Sequence, residues 1–157
     1  MAEGPVYLTT FIEGVLVHGS ATPFVLLTPS LHSPHRGLLM PPQVPWSPGF
    51  LPPALIQSLI NGTWKIPFRF VDSSKLPVVF DERTSRLPTP WLLRLEGLEG
   101  QQRLYITHLL RTKAPDDELP HPPEGAQWVS EKALVSMDLQ PGVRRLCQAA
   151  LQAIREI

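Results

Sequence analysis

The sequence predicts a single α/β domain over residues 1–157, built as a sandwich around a mixed β-sheet. Three features indicate this class. The first two are a helical stretch near 141–156 with one apolar face and a hairpin made by residues 91–96 and 103–111. A third is a short helix near 52–61, which follows a proline-rich loop. Hairpins with helices between and after them are typical of layers packed around one hydrophobic core.

The C-terminal stretch gives the clearest helical pattern. Pro141 suits a first helical turn, where its missing N–H leaves no hydrogen bond unmade. The apolar residues after it recur at intervals of 3, 1, 3, 1 and 3, the spacing of one buried helix face. Because Cys147 belongs to this face, we expect its thiol to be buried and unreactive. The face consists of Val143, Leu146, Cys147, Ala150, Leu151 and Ile154.

Four stretches rich in leucine, β-branched and aromatic residues predict the main strands. Residues 6–17 form the first strand, and Gly14 within it predicts a β-bulge. Residues 23–28 form the second strand and follow it after a short turn. Residues 91–96 and 103–111 flank the sequence GLEG, which is a strong hairpin signal.

Shorter elements complete the prediction. Residues 65–71 and 127–129 are typical of short strands. Ser130 is expected to cap a short helix with the sequence SEKAL, because its hydroxyl can accept a hydrogen bond from a free backbone N–H. The three prolines in residues 72–90 predict an extended excursion, with a short strand where Val78–Phe80 forms an apolar run.

The composition restricts the class of partner. The formal net charge is zero, so no overall basic field attracts DNA or an anionic membrane. No apolar stretch approaches the roughly 18 residues of a membrane span, and the N-terminus lacks a signal-peptide pattern. The single cysteine fits a reducing cytoplasm. A hydrophobic content of 43% together with proline-rich loops favours a homodimer.

Residues 40–64, MPPQVPWSPGFLPPALIQSLINGTW, raise the question of function. A glycine- and proline-rich loop followed by a short amphipathic helix is the outline of elements that often carry phosphate chemistry. This stretch nevertheless contains no Asp, Glu, Lys, Arg or His. The outline therefore predicts a local fold without predicting a reaction.

The loop, this helix and the order of elements resemble the Nudix superfamily, which hydrolyses nucleoside diphosphates linked to another group. The family carries a sequence motif, the Nudix box, that spans a loop and the helix after it. The resemblance implies an α/β/α sandwich in which carboxylates of this box hold Mg²⁺ against the diphosphate. LMPPQ at Leu39–Gln43 falls where the family has an apolar residue and Pro-Gly-Gly. Ala54, Leu59 and Thr63 fall on common box residues, and EGAQWVSEKAL with the C-terminal helix resembles the family's closing elements.

The box chemistry departs from the family pattern. Mg²⁺ requires hard oxygen ligands, usually one or two carboxylates. Replacing two negative charges by neutral oxygens removes several kcal/mol of attraction for a divalent ion. The resemblance therefore implies a Nudix-type domain without the usual metal mechanism. The residues at the family's glycine, arginine and glutamate positions are Gln43, Gly49, Gln57, Ser58, Asn61, Gly62 and Trp64.

An acidic loop offers a second source of carboxylates. Glu118 and Glu124 are weak catalytic candidates, and Asp116 and Asp117 are weak metal-binding candidates. In some members of the Nudix superfamily, which this sequence resembles, a catalytic glutamate lies in the loop before the closing strand. The alternative interpretation is a solvated acidic loop between prolines.

The candidate ligand-binding residues are aromatic, amide and guanidinium groups. Trp46 and Trp91 offer aromatic faces for a base, or pack against prolines. Arg83 and Arg86 can grip a phosphate, or form local ion pairs. Gln43 opens the box loop. His32 and His35 form a possible metal pair without an evident third ligand, or a surface loop.

Three functional hypotheses follow. The favoured one is a non-catalytic Nudix-type domain that binds a nucleotide-like ligand or serves in interaction or dimerisation. Its pocket is expected between residues 43–50, 81–91 and 113–127. The second is an Mg²⁺-dependent hydrolase of nucleoside diphosphate derivatives that uses acidic residues of the 116–124 loop. The third is an unrelated α/β structural or interaction protein.

Overall fold

A computed structural model describes residues 7–32, 35–72, 76, 87–98 and 100–156. These residues form a mixed sheet with helices on both faces, as the sequence predicts. The strands are β1 (Tyr7–His18), β2 (Phe24–Pro29), β3 (Leu39–Met40), β4 (Gln43–Pro45), β5 (Phe68–Phe70), β6 (Leu92–Leu98), β7 (Gln101–Thr112) and β8 (Gln127–Ser130). The helices are α1 (Pro52–Gln57), continued by a π-helical segment (Ser58–Thr63), α2 (Glu131–Ser136) and α3 (Pro141–Arg155).

The long strands β1 and β7 form the centre of the sheet. They run parallel in an unbroken register from Tyr7 opposite Gln101 to Val17 opposite Arg111. The outer side of β1 is shared by β4 and β2, and the outer side of β7 by β6 and β5; all four pair antiparallel. β2 in turn pairs with β3 and β8. Each central strand thus has two shorter partners on its outer side.

Alternate residues of β1 enter two different core layers. Val15 and Val17 pack in the layer that contains α3. Ile12 and Leu16 pack in the layer that contains α1 and the π-helical segment. This alternation is the period-2 geometry of a strand that is covered on both faces. All six residues of the predicted apolar face of α3 are buried, including Cys147.

Gly14 makes close packing possible, and the predicted bulge at this position is wrong. It lies opposite His108 within the continuous register. A Cβ atom at Gly14 would lie 2.7 Å from Leu110 Cδ1 and 3.0 Å from Ile56 Cγ1. Only glycine therefore lets α1 approach β1 this closely.

The helix predicted near 52–61 begins at Pro52 as expected but extends further. The backbone N–H of Trp64 donates to Leu59 O at 3.0 Å, which closes a turn of the i→i+5 type. Lys65 then adopts a φ of 59°, the left-handed conformation that ends many helices. The extra residues of the wider turn carry the segment to Thr63, two residues past the predicted end. The predicted cap of α2 is confirmed, since Ser130 Oγ accepts from Ala133 N at 3.2 Å.

The excursion between β5 and β6 leaves and rejoins one edge of the sheet. Val71 N donates to Leu109 O, and Trp91 N donates to Thr107 O, both at 2.8 Å. The chain therefore departs from β7 and returns to it two residues away. Most of the excursion, including the predicted strand at 78–80, lies outside the described residues.

His108 is a buried titratable group on β7. Its side chain is 1% exposed, and its ring contacts Phe70 edge to face at 5.2 Å. Within the described part of the chain, neither ring nitrogen has a hydrogen-bond partner of good geometry. Burial disfavours the charged imidazolium and lowers the pKa of His108 to about 4.

His108 should make the free energy of unfolding depend on pH. Between pH 6.5 and pH 4 the unfolded chain binds a proton at this residue and the folded chain does not. The contribution of His108 to the free energy of unfolding is therefore fully present above pH 6.5. It falls by about 3 kcal/mol as the pH drops toward 4. In His108→Leu this contribution to the pH dependence should vanish. Urea unfolding at several pH values measures it.

The matched control is His121→Gln, because His121 is exposed on a loop. Its unfolding free energy should keep the pH dependence of the unmodified protein. Equal slopes in His108→Leu and the unmodified protein would show that burial does not hold His108 neutral.

Candidate functional site

A cleft opens where β2 and β4, which pair with different parts of β1, diverge from each other. The chain crosses from β3 to β4 at Pro41-Pro42, and Gly14 N donates to Pro42 O at 2.9 Å. The cleft has a volume of about 260 Å³. Its lining comes from the end of β2, the box loop, the π-helical segment and the loop before β8. The lining residues are Thr28, Pro29, Ser30, Leu31, His32, Pro41, Gln43, Leu59, Trp64, Pro123 and Glu124.

The π-helical turn builds one wall of this cleft. Leu59 and Trp64 are five residues apart and are joined by the i→i+5 hydrogen bond. In an α-helix two such residues would point about 140° apart, since each residue turns by about 100°. The wider turn places both side chains toward the cleft, where they form an apolar surface.

A buried carboxylate holds Gln43 in the lining of the cleft. Glu13 is fully buried and accepts hydrogen bonds from Gln43 Nε2 at 2.8 Å and Thr107 Oγ1 at 2.9 Å. Arg94 donates to the same carboxylate, with Nη2 2.7 Å from Oε2. Gln43 therefore lines the cleft while its amide nitrogen is held by Glu13.

Arg94 is held from two sides. Its guanidinium carbon lies 3.8 Å from the ring centre of Tyr105, a cation–π contact. Burial acts to lower the pKa of Arg94, but Glu13, with smaller contributions from Tyr105 and Glu96, raises the pKa above its ordinary value. Burial raises the pKa of Tyr105. Glu13 and Arg94 thus form an ion pair in which Glu13 is fully buried and Arg94 is 18% exposed, and each partner compensates the other.

The polar network continues to the helix α3. Glu96 Oε1 accepts from Tyr105 Oη at 3.2 Å and lies 2.8 Å from His35 Nε2. Gln140 Nε2 lies 2.9 Å from His35 Nδ1. His35 is therefore a buried structural residue. His32 instead lines the cleft and contacts the ring of Phe11 at 5.1 Å.

The acidic residues of the 116–124 loop do not lie together. Asp116 accepts from Ser20 N at 3.1 Å, and hydrogen bonds from Ser20 hold its pKa below the usual value. Asp117 and Glu118 are exposed beside it. Glu124 lines the cleft at the other end of β2, a strand of 6 residues that spans about 17 Å at roughly 3.3 Å per step. In the described ranges, no group of three His, Cys, Asp or Glu side chains could hold a metal ion.

The residues present do not fit the Mg²⁺ centre that the box outline implies. In the part of the chain that the structure describes, Glu124 is the one carboxylate of the cleft lining, and Glu13 is neutralised by Arg94. The side chains at the box positions are small or neutral and face solvent. These exposed positions are Gly49, Gln57, Ser58, Asn61 and Gly62.

The other candidate residues lie in different environments. Trp46 is 45% exposed and donates from Nε1 to Phe50 O at 3.3 Å, outside the cleft lining. Trp91 is half-buried and packs against the core layer of α3. Arg83 and Arg86 lie outside the described residues.

Glu13 and Arg94 were not among the site residues predicted from the sequence. Glu13 is the lone charged residue of the apolar stretch TFIEGVLV, and Arg94 stands between leucines in WLLRLE. A buried charge requires an opposite partner, so two such residues in predicted core strands indicate a buried ion pair. This signal was available in the sequence.

Comparison with known proteins identifies the architecture. No protein-family model and no curated protein sequence matches the chain. A Nudix-family hydrolase from Clostridium perfringens superposes with a TM-score of 0.63 at 14% identity, covering 91% of this chain and 95% of that one. The Ap4A hydrolase of C. elegans gives 0.58 at 10% identity, covering 95% and 97%. The chain has the Nudix fold.

This Nudix-fold chain also resembles a domain solved with a protein partner. The C-terminal domain of mouse MUTYH, in complex with human PCNA, gives a TM-score of 0.53 at 16% identity, covering 94% of this chain and 90% of that one. Among the helices of the described residues, none has the length and apolar character needed to cross a membrane.

Removing one partner of the buried pair should be costly. Arg94→Met leaves the Glu13 carboxylate buried without compensation, so we expect the free energy of unfolding to fall by about 3–5 kcal/mol. The double variant Glu13→Gln with Arg94→Met should recover much of this loss, because no buried charge remains. Chemical denaturation of the three proteins measures the difference.

The control is Arg155→Met, which breaks an exposed ion pair between Arg155 and Glu131. Exposed pairs contribute little, so this change should be close to neutral. A similar cost for Arg94→Met and Arg155→Met would contradict the structural role of the buried pair.

Proposed function

We propose that this Nudix-fold chain is a non-catalytic binding domain whose cleft holds a flat, uncharged group such as a nucleobase. The observation that carries the proposal is the chemistry of the cleft lining. Its walls are apolar at Leu59, Trp64 and three prolines. Among the described residues that line it, Glu124 alone carries a formal charge, and none is Lys or Arg.

The charge of the cleft disfavours a bound phosphate. Phosphate sites use backbone N–H groups, metal ions or basic side chains to compensate charge. Glu124 would instead repel a phosphate. The Nudix neighbours include an Ap4A hydrolase, so adenosine is a reasonable first probe for a base-binding cleft.

The size of the cleft supports the same ligand class. Pockets for drug-sized ligands enclose about 300–1,000 Å³. A cleft of about 260 Å³ accommodates a base or a nucleoside, and would leave most of a dinucleoside polyphosphate outside. Thr28, Ser30 and Gln43 supply polar groups for orienting such a ligand.

Hydrolysis is the second candidate function, and Glu124 is the observation that favours it. This carboxylate lies in the cleft, while Asp116, Asp117 and Glu118 belong to the far part of the same loop. Under this alternative Glu124 would bind a metal ion or activate water with a substrate phosphate present.

We also propose a cytoplasmic setting, which the single free and buried Cys147 supports.

Trp64 should contribute to adenosine binding through its aromatic face. Stacking of a base on an aromatic side chain contributes about 1–3 kcal/mol, so Trp64→Ala should weaken adenosine binding by roughly 5- to 150-fold. Trp46→Ala is the matched control, because Trp46 is an exposed tryptophan outside the cleft lining. Isothermal titration calorimetry without metal measures both affinities.

The converse result would relocate the ligand. If Trp46→Ala loses adenosine binding and Trp64→Ala keeps it, the ligand lies on the box loop as the sequence pattern suggested. No adenosine binding by the unmodified protein would contradict the base-binding proposal.

Glu124 should discriminate against phosphate. The unmodified protein should bind AMP more weakly than adenosine, and Glu124→Gln should narrow this gap by about two- to fivefold. Glu118→Gln is the matched control, because Glu118 is an exposed glutamate of the same loop outside the cleft lining. Titration with Mn²⁺, followed by electron paramagnetic resonance, should show no tight site in any of the three proteins.

The hydrolase alternative predicts a different pattern. It requires Mg²⁺-dependent turnover of Ap4A that disappears in Glu124→Gln and persists in Glu118→Gln. That result, together with one Mn²⁺ site in the unmodified protein, would overturn the non-catalytic proposal.

A further inference from the structure

Gln43 is a polar residue of the cleft whose position the sheet fixes. In the strand register, Gln43 of β4 lies directly opposite Glu13 of β1, and Glu13 lies directly opposite Thr107 of β7. Residues directly opposite each other in neighbouring strands project from the same face of a sheet. The three side chains therefore form one polar row across the sheet, and Gln43 is the member of this row that lines the cleft.

The hydrogen bonds of the row determine which way the Gln43 carboxamide faces. Glu13 Oε2 accepts from Gln43 Nε2 at 2.8 Å and from Arg94 Nη2 at 2.7 Å, and Glu13 Oε1 accepts from Thr107 Oγ1 at 2.9 Å. A carboxylate paired with a guanidinium has only acceptor atoms to offer. The carboxamide must therefore face Glu13 with its NH₂ group, and turning it over would bring two acceptors together.

The carbonyl oxygen of Gln43 is left for a ligand. Nε2 and Oε1 lie on opposite sides of the planar carboxamide, so holding Nε2 against Glu13 turns Oε1 away from it. Within the described part of the chain, no hydrogen bond is made to Oε1. Oε1 is also not one of the buried polar atoms that lack a partner, so it is open to solvent. A ligand in the cleft thus meets a fixed hydrogen-bond acceptor at this residue.

We propose that Gln43 selects an amino-substituted base, such as adenine, by accepting a hydrogen bond at Oε1 from the exocyclic amino group. This inference rests on the proposed base-binding function and names the class of base. An amino group donates and matches the acceptor, whereas a carbonyl at the same ring position, as in hypoxanthine, places two acceptors face to face. Glu13 is a positioning residue, because it holds the carboxamide without touching the ligand.

Three nucleosides test the choice of base. Compared with adenosine, purine riboside lacks only the amino group, and inosine has a carbonyl in its place and a proton on the adjacent ring nitrogen. Isothermal titration calorimetry without metal should show adenosine binding most tightly. Purine riboside should bind about 2- to 10-fold more weakly than adenosine, and inosine roughly tenfold or more weakly, since it leaves acceptors unpaired.

A substitution of Gln43 tests the residue. Gln43→Met removes the acceptor and keeps a side chain of similar length, so adenosine and inosine should then bind within about threefold of each other. Gln57→Met is the matched control, because Gln57 is an exposed glutamine of α1 outside the cleft lining. It should keep the full preference for adenosine. Far-UV circular dichroism checks that both variants preserve the fold.

A double variant tests the positioning role of Glu13. In Glu13→Gln with Arg94→Met, an amide at position 13 can donate as well as accept, so the Gln43 carboxamide is free to turn over. The preference for adenosine over inosine should narrow to about threefold or less, while purine riboside should keep its affinity within about twofold. A purely structural role of Glu13 would weaken all three nucleosides alike.

The possible failures are distinguishable. Equal binding of adenosine and inosine would reject this inference and leave the base-binding function standing. Tighter binding of inosine, or a preference for adenosine that survives in Gln43→Met, would likewise reject the role of Gln43. If none of the three nucleosides binds the unmodified protein, the proposed function itself is contradicted, and this inference falls with it.

Discussion

The parallel pairing of β1 with β7 determines where everything else in the molecule lies. These two strands of 12 residues each are hydrogen-bonded along nearly their whole length. Their outer partners are shorter: β4 and β5 have 3 residues each, and β2 and β6 have 6 and 7. Each side of the central pair must therefore contain a break between two short partners.

The cleft and the excursion both arise from these breaks. On the β1 side, the divergence of β2 from β4 opens the cleft, and the loops that fill its rim supply Gln43 and Glu124. On the β7 side, the excursion leaves the sheet between β5 and β6, and among the described residues β6 pairs with β7 alone. Regular packing continues uninterrupted in the two core layers. Variation at the breaks therefore leaves the central sheet in place.

The Glu13–Arg94 pair connects the two breaks. Glu13 holds Gln43 at the cleft, and Arg94 belongs to strand β6. A buried ion pair is costly to desolvate and adds less stability than its Coulomb attraction suggests. The two side chains must nevertheless stay in contact, because each charge has to remain compensated by the other. The pair thus fixes the positions of β1, β4, β6 and β7 relative to one another.

Local patterns predicted local structure well, and contacts between distant residues explain what they missed. The apolar spacing of α3 and the proline at its start determine the helix and its buried face without reference to the sheet. The role of Gly14 depends on Ile56 and Leu110, which approach it only in the folded chain, so the sequence suggested a bulge instead. The cleft wall formed by Leu59 and Trp64 depends on a π-helical turn that α-helical spacing does not predict. The parallel register of β1 and β7 joins residues more than 90 positions apart, beyond the reach of any local signal.

The same reasoning explains how the Nudix fold persists here without the box carboxylates. The side chains of Gln57, Ser58 and Asn61 are exposed, whereas Ile56 and Ile60 of the same segment are fully buried. The buried residues hold the segment against β1, and the exposed positions contribute almost nothing to that packing. Charge at the exposed positions is therefore free to vary while the backbone stays where it is. Fold and metal chemistry depend on different faces of one short segment, so a structural likeness to hydrolases identifies the first and says nothing about the second.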